Sequence, residues 1–414
     1  MKIIAIFILS LLPITAAAQG YTLEECCQTA LQHNLTLQSS RLDMLKADED
    51  KKKAFTAYFP DVSGIGAAFW ADDYMIQMGQ TQMLKDGRVA AVSAVQPVFA
   101  GGQIITANRL TEVQQEVTSL KYQLSEEEVM QRVTEGYWQI ISLQANLKTL
   151  DAADRQLVEL QRMVKSYVRA GMRTPADTLQ IALKQQELES SRLQVDNALS
   201  LSLMSLARLM GISWNDFAIR DTAFVEPTEP TAVFLPAETA ALGRKEYALS
   251  QLSVDASRLS LRMERGKLLP SVGLGVQGIY ANLLDKNETH GMLYATVSIP
   301  ISAWWGGSHA IRKARYNCKQ SELAAADARQ NLALDIQHAW NNLVEAYRQI
   351  DVCRRSIESA RENYRMQKSY YQNGTVTMTD VLQAESQLVQ AENRFAAANA
   401  TYQVRLADYR RKTK

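Results

Sequence analysis

Tyr167-Val168-Arg169-Ala170-Gly171-Met172-Arg173-Thr174-Pro175-Ala176-Asp177-Thr178-Leu179 returns later in the chain as Tyr370-Tyr371-Gln372-Asn373-Gly374-Thr375-Val376-Thr377-Met378-Thr379-Asp380-Val381-Leu382. Tyr, Gly, Thr, Asp and Leu keep one offset, since 374 minus 171 and 380 minus 177 both give 203. Each stretch reads as a sharp turn between two helices. Gly171 and Gly374 stand where a helix ends on a left-handed residue. Thr174 and Thr377 then serve as N-caps, with Pro175 at the first helical position and Asp177 and Asp380 in the first turn.

Working outward, the same plan occurs twice, as an internal repeat. Residues 58–66 answer 268–276 around Pro60 and Pro270, and 96–102 answer 299–307 around Gly101-Gly102 and Gly306-Gly307. The predicted organisation is a leader over 1–18, repeat 1 over 19–210, a linker or equatorial segment over 211–236 and repeat 2 over 237–414. Each repeat reads as helix, β-hairpin (about 60–99 and about 270–301), very long helix, tip (170–177 and 373–380) and returning helix. The linker loses the helical period and carries Pro227, Pro230 and Pro236. Thr22-Leu23-Glu24-Glu25 is a capping box that opens the first helix.

Ile336, Trp340, Leu343, Tyr347, Ile350 and Ile357 follow a heptad, with Arg354 in its one polar slot, and Leu110, Val113, Val117, Leu120 and Leu124 do the same in repeat 1. Helices from Gly102 to Arg169 and from Gly307 to Tyr371 would each be about 100 Å long at the α-helical rise. The strands are expected at 60–71, 88–99, 270–281 and 291–301. Val272, Leu274, Val276, Gly278 and Tyr280 fall on one face of the third, the period of a two-sided sheet. Tyr58, Phe59, Trp70, Phe99, Tyr280, Tyr294, Trp304 and Trp305 flank the strands as an interfacial girdle would. Polar stretches at 72–87 and 282–290 are the expected external loops.

No apolar run after Gly20 could cross a bilayer as a helix, so membrane insertion requires a closed barrel. Four strands cannot close one, because bacterial barrels have at least about 8. Copies must therefore share it, and three would supply 12 strands. The count excludes a monomeric barrel without choosing among oligomers.

Met1-Lys2, the apolar run Ile3–Leu12 and Ala16-Ala17-Ala18 form a signal peptide cut after Ala18. Gln19 follows, not the Cys that lipid attachment would need. The 45 basic and 44 acidic residues leave no basic cluster, which excludes nucleic acid as a partner. His33, His290, His309 and His338 have no metal-ligand spacing, and no phosphate loop or nucleophile elbow occurs, so neither a metal, a cofactor nor catalysis is expected. Cys318 and Cys353 lie about 50 Å apart along one helix, beyond disulfide reach. With the adjacent Cys26 and Cys27, they read as small buried hydrophobes.

In the order and duplication of these features the chain resembles the outer-membrane efflux protein family, the TolC-type channels. That resemblance implies an α+β membrane protein in which each chain gives four β-strands to a shared 12-stranded trimeric barrel. The barrel continues as a long coiled-coil α-helical barrel in the periplasm. It implies a homotrimer in outer-membrane lipid of a Gram-negative bacterium. Its partners would be a periplasmic adaptor and an inner-membrane transporter, served by a passive export conduit that is not an enzyme. By position, Asp177, Tyr371 and Asp380 fall at the periplasmic entrance or gate, and Gly171, Thr174, Gly374 and Thr377 at the adaptor-docking tips. Val376 departs from the family pattern, which has an arginine there, and so does Gln383, where a second acidic residue lines the entrance. Asp177 and Asp380 also have a purely local reading as first-turn carboxylates at a helix dipole. A ring of Asp380 copies would raise their apparent pKa. The competing class is a periplasmic coiled-coil adaptor or structural protein, which leaves the two β-hairpins unexplained.

Overall fold

A computed structural model describes residues 20–413 except 74, 79, 80, 84, 216, 222, 284 and 285. The leader over 1–18 lies outside the described residues. Two compact units interleave along the sequence. One takes residues up to 38 with 125–240 and 334–414, and the other takes 39–124 and 241–333.

The second unit carries a four-stranded antiparallel sheet of β1 (Asp61–Trp70), β4 (Asp86–Ala100), β5 (Ser271–Leu283) and β6 (Lys286–Ser298), in the order β1-β4-β5-β6. Short strands β2 (Ile76–Met78) and β3 (Thr81–Met83) pair with each other between β1 and β4. The expected loop at 282–290 is corrected, because β5 runs to Leu283 and β6 begins at Lys286. The polar run Lys286–His290 forms paired strand instead, with Ala281 opposite Glu288 and Ile279 opposite His290. The loop expected at 72–87 contains the β2–β3 hairpin and the start of β4.

Register sorts the side chains. Val62, Ala94, Val276 and Leu293 line up across the four strands on one face, and Ser63, Ser93, Gln277 and Met292 on the other. Within that second row the Ser63 and Ser93 hydroxyls are hydrogen-bonded at 2.9 Å. The first face is apolar and exposed, with Leu293 81% accessible. At its two ends stand the exposed Trp70 and Tyr280, and Phe99. Tyr294 is corrected out of this girdle. It pairs with Gly275 on the opposite face, and its ring fills the space where a Cβ at 275 would project.

The first unit is helical. Helix α1 (Leu23–His33) opens on the expected capping box, with Thr22 Oγ1 accepting from the Glu25 amide at 3.3 Å and Glu25 accepting from the Thr22 amide at 2.8 Å. Cys26 and Ala30 bury its inner face against Val133, Tyr137, Ile140 and Ile141 of α3 (Gln103–Arg169) and Leu206 and Met210 of α4 (Pro175–Met210). A second core joins Leu157, Leu160 and Val164 of α3, Ile181 and Leu188 of α4, Tyr364 and Tyr371 of α7 (Ala303–Gln372) and Met378, Val381 and Leu388 of α8 (Met378–Thr413). Helices α3 and α7, whose first parts, 103–124 and 303–333, belong to the second unit, have 67 and 70 residues, and the returning α4 and α8 have 36 each. Over 211–236, tyrosine hydroxyls fasten the connecting segment. Tyr137 donates to Asp221 at 2.6 Å, Tyr402 donates to the Thr228 carbonyl at 2.5 Å, and Tyr409 accepts from the Leu235 amide at 3.0 Å.

All four cysteines are free, and Cys26, Cys318 and Cys353 are buried. Among the described residues no helix is long and apolar enough to cross a membrane, and no cluster of His, Cys, Asp and Glu could hold a metal ion.

Candidate functional site

The two hairpin tips belong to the first unit and are built alike at their helix ends. Gly171 (φ 72°) donates to the Val168 carbonyl at 3.0 Å, and Met172 donates to Tyr167 at 2.9 Å. At the same offset Gly374 (φ 82°) donates to Tyr371 at 3.0 Å, and Thr375 donates to Tyr370 at 3.0 Å. This pair of bonds is the Schellman closure, which needs a left-handed residue that glycine supplies without a Cβ penalty. Gly171, Thr174, Gly374 and Thr377 are all exposed at these turns.

Beyond the glycines the tips diverge. Thr377 and Asp380 form a capping box: Asp380 Oδ2 accepts from the Thr377 amide at 2.8 Å and from its hydroxyl at 2.6 Å, while Thr377 Oγ1 accepts from the Asp380 amide at 3.3 Å. These bonds to Thr377 hold the exposed Asp380 carboxyl below its ordinary pKa. Within one chain, capping thus works against the rise that neighbouring copies would cause. Thr174 has the extended backbone of an N-cap (φ −88°, ψ 151°), but its side chain makes no capping bond, which corrects the expected device.

Asp177 is turned elsewhere. Its Oδ2 accepts a 2.6 Å hydrogen bond from the hydroxyl of Tyr371, the last turn of α7. Tyr371 is fully buried, and burial followed by the Asp177 bond pushes its hydroxyl pKa upward. Arg173 lies over the Tyr371 ring, 4.3 Å from guanidinium carbon to centroid, and donates to the Tyr371 carbonyl. The first tip therefore grips the second through Arg173, Asp177 and Tyr371, while Asp380 stays outside the grip.

Sequence reasoning passed over Arg173, although its place was marked. Adding the repeat offset, 173 plus 203 is 376, where Val376 stands. The guanidinium that the resemblance leads one to seek in the second turn sits at the equivalent position of the first. Glu385 was also missed; it is 1% accessible, and neither carboxylate oxygen has a hydrogen-bond partner.

An open four-stranded sheet with one exposed apolar face and one mixed face, in a chain with two long helical hairpins, is the fold of a channel-forming outer-membrane subunit. The chain belongs to the outer membrane efflux protein family, whose model matches residues 26–212 and 238–410. The alkaline protease secretion protein AprF of Pseudomonas aeruginosa is 22% identical over 326 residues, covering 77% of this chain and 67% of the relative. The outer membrane protein TolC of Salmonella enteritidis is 20% identical over 417 residues, covering 97% and 84%. Among solved structures, CusC shares the fold at a TM-score of 0.83 with 17% identity, over 95% of this chain and 92% of that one.

Proposed function

We propose that the chain is one of three identical subunits of an outer-membrane channel in a Gram-negative bacterium. It would be the passive exit duct of a tripartite efflux or secretion system. The observation that carries this reading is the sheet. Its outer strands β1 and β6 each keep an unpaired edge, and a hydrocarbon environment tolerates no free backbone ladder. Pairing β6 of one copy with β1 of the next satisfies both edges. Three copies give 12 strands, with the apolar face toward lipid and the Ser63, Ser93 and Gln277 row toward water.

The leader over 1–18 is removed on export, and Gln19 becomes an unlipidated N-terminus. The tips at Gly171, Thr174, Gly374 and Thr377 receive a periplasmic adaptor, which links the duct to an inner-membrane transporter. The duct itself does no chemistry. Arg173, Asp177 and Tyr371 act as the latch of the periplasmic entrance, supported by their closed bonding pattern, and Asp380 contributes a ring of exposed carboxylates facing passing solutes.

Cell fractionation with an unheated gel tests the proposal. Outer-membrane recovery of a species near three times the chain mass, collapsing to one chain on boiling, is the expected result. A monomer released in the soluble periplasmic fraction would overturn it in favour of an adaptor or structural protein.

A further inference from the structure

Glu385 lies one turn beyond Asp380 on the face of α8 that also carries Val381, Ala384 and Leu388, all buried. A carboxylate at such a position loses its hydration, and here no donor replaces it, since both oxygens are buried without a partner. From α4 it faces Lys184 and Glu187, one charge of each sign. From α7 it faces Tyr364, whose hydroxyl is likewise buried and unpartnered. Glu159 of α3 acts on Tyr364 in turn. Nothing in this set stabilises a negative charge well enough to explain an acidic residue where a leucine would pack.

We propose that Glu385 is a proton-controlled wedge: neutral, it lets the start of α8 lie in the four-helix core, and ionised, it drives those turns outward. Burial, the largest influence, raises its carboxyl pKa from 4.5 to about 7, with Lys184 opposing and Glu187 adding to the rise. A group whose packed pKa is raised holds the packed arrangement fully below its free value. That hold is lost as pH climbs from 4.5 to about 7 and changes little above. Acid therefore locks α8 and mild alkali loosens it. For pKa values of 4.5 and about 7, opening becomes about 30-fold more favourable between pH 5.5 and pH 8. The motion of α8 stands by itself, whereas its effect on conduction rests on the channel reading above.

Hydrogen exchange on the assembled full-length protein in detergent tests it, with amide protection of 378–388 followed from pH 5.5 to 8.5 after correction for intrinsic exchange. Wild type should lose about 30-fold in protection and level off above pH 7, while Glu385→Gln should stay flat. Equal, flat profiles overturn the proposal. Should Glu385→Gln fail to assemble, the wild-type profile decides alone, because a flat curve, or one still falling above pH 8, sinks the wedge. Bilayer recordings of both proteins over the same range separate the two readings. Currents that rise along with exchange tie the wedge to the entrance. Exchange that responds while currents do not leaves the wedge intact and counts against the tip region as the gate.

Discussion

Tyr371→Phe removes one oxygen atom and leaves the ring under Arg173. The hydroxyl it removes makes a 2.6 Å bond to the carboxylate of Asp177. A hydrogen bond to a charged group contributes about 1.5–3 kcal/mol, and the half-buried Asp177 would be left short of a donor. At about 1.4 kcal/mol per tenfold, the change loosens each latch by about ten- to a hundredfold. Single-channel recordings should show longer and more frequent openings for the variant, with trimers of normal heat stability because the barrel is untouched. Asp177→Ala should reproduce the effect, and the double variant should add little to either single one, since residues in one bonded pair are coupled. Unchanged gating in Tyr371→Phe would refute the latch. So would a double variant whose effect equals the sum of the two singles.

Gly374→Val forces a β-branched residue into a φ of 82° and costs about 1–2 kcal/mol at the turn; export should fall while trimers assemble, and normal export from a Gly171→Val, Gly374→Val double variant would count against docking at the tips. Asp380→Asn should weaken cation preference in bilayers. In the wild type that preference should outlast the acidification that neutralises an ordinary aspartate, because the Thr377 bonds hold the carboxyl pKa below its usual value and the charge is lost only as the pH falls through that lowered pKa; a preference lost at a higher pH than an ordinary aspartate titrates would show that repulsion between copies outweighs the cap. Gly275→Val places a branched side chain where the Tyr294 ring lies; overpacking of about 1–3 kcal/mol should deplete heat-modifiable trimers, and Tyr294→Ala in the same chain should restore them.

How much of this was legible varies with the physics behind each feature. The tips were readable because a left-handed turn restricts its residue types strongly, so Gly, Thr and Asp mark it twice at one spacing. The extent of β6 was not, because Lys286–His290 is polar and polarity resembles a loop, whereas a strand needs no apolar face where both sides meet water. Tyr294 looked like a girdle residue until pairing with Gly275 placed it on the opposite face. Arg173 was hidden by its own repeat, which offers Val376 as the counterpart. Glu385 was hidden by composition, since carboxylates along an exposed-looking helix read as solvated, and only tertiary packing shows one buried without a partner.

In the ring proposed above, the strand order β1-β4-β5-β6 would make the first and last strands of the sheet its mating edges, with a head-to-tail contact between neighbours. A ring built this way needs every member sound, because one defective edge leaves a gap that no other copy can cover. Genetic dominance follows. In a cell making equal amounts of a normal chain and one unable to present β6, random mixing into threes leaves about one ring in eight fully normal. Damage to this edge would therefore behave as a poison, whereas loss of the whole gene copy would only halve the supply.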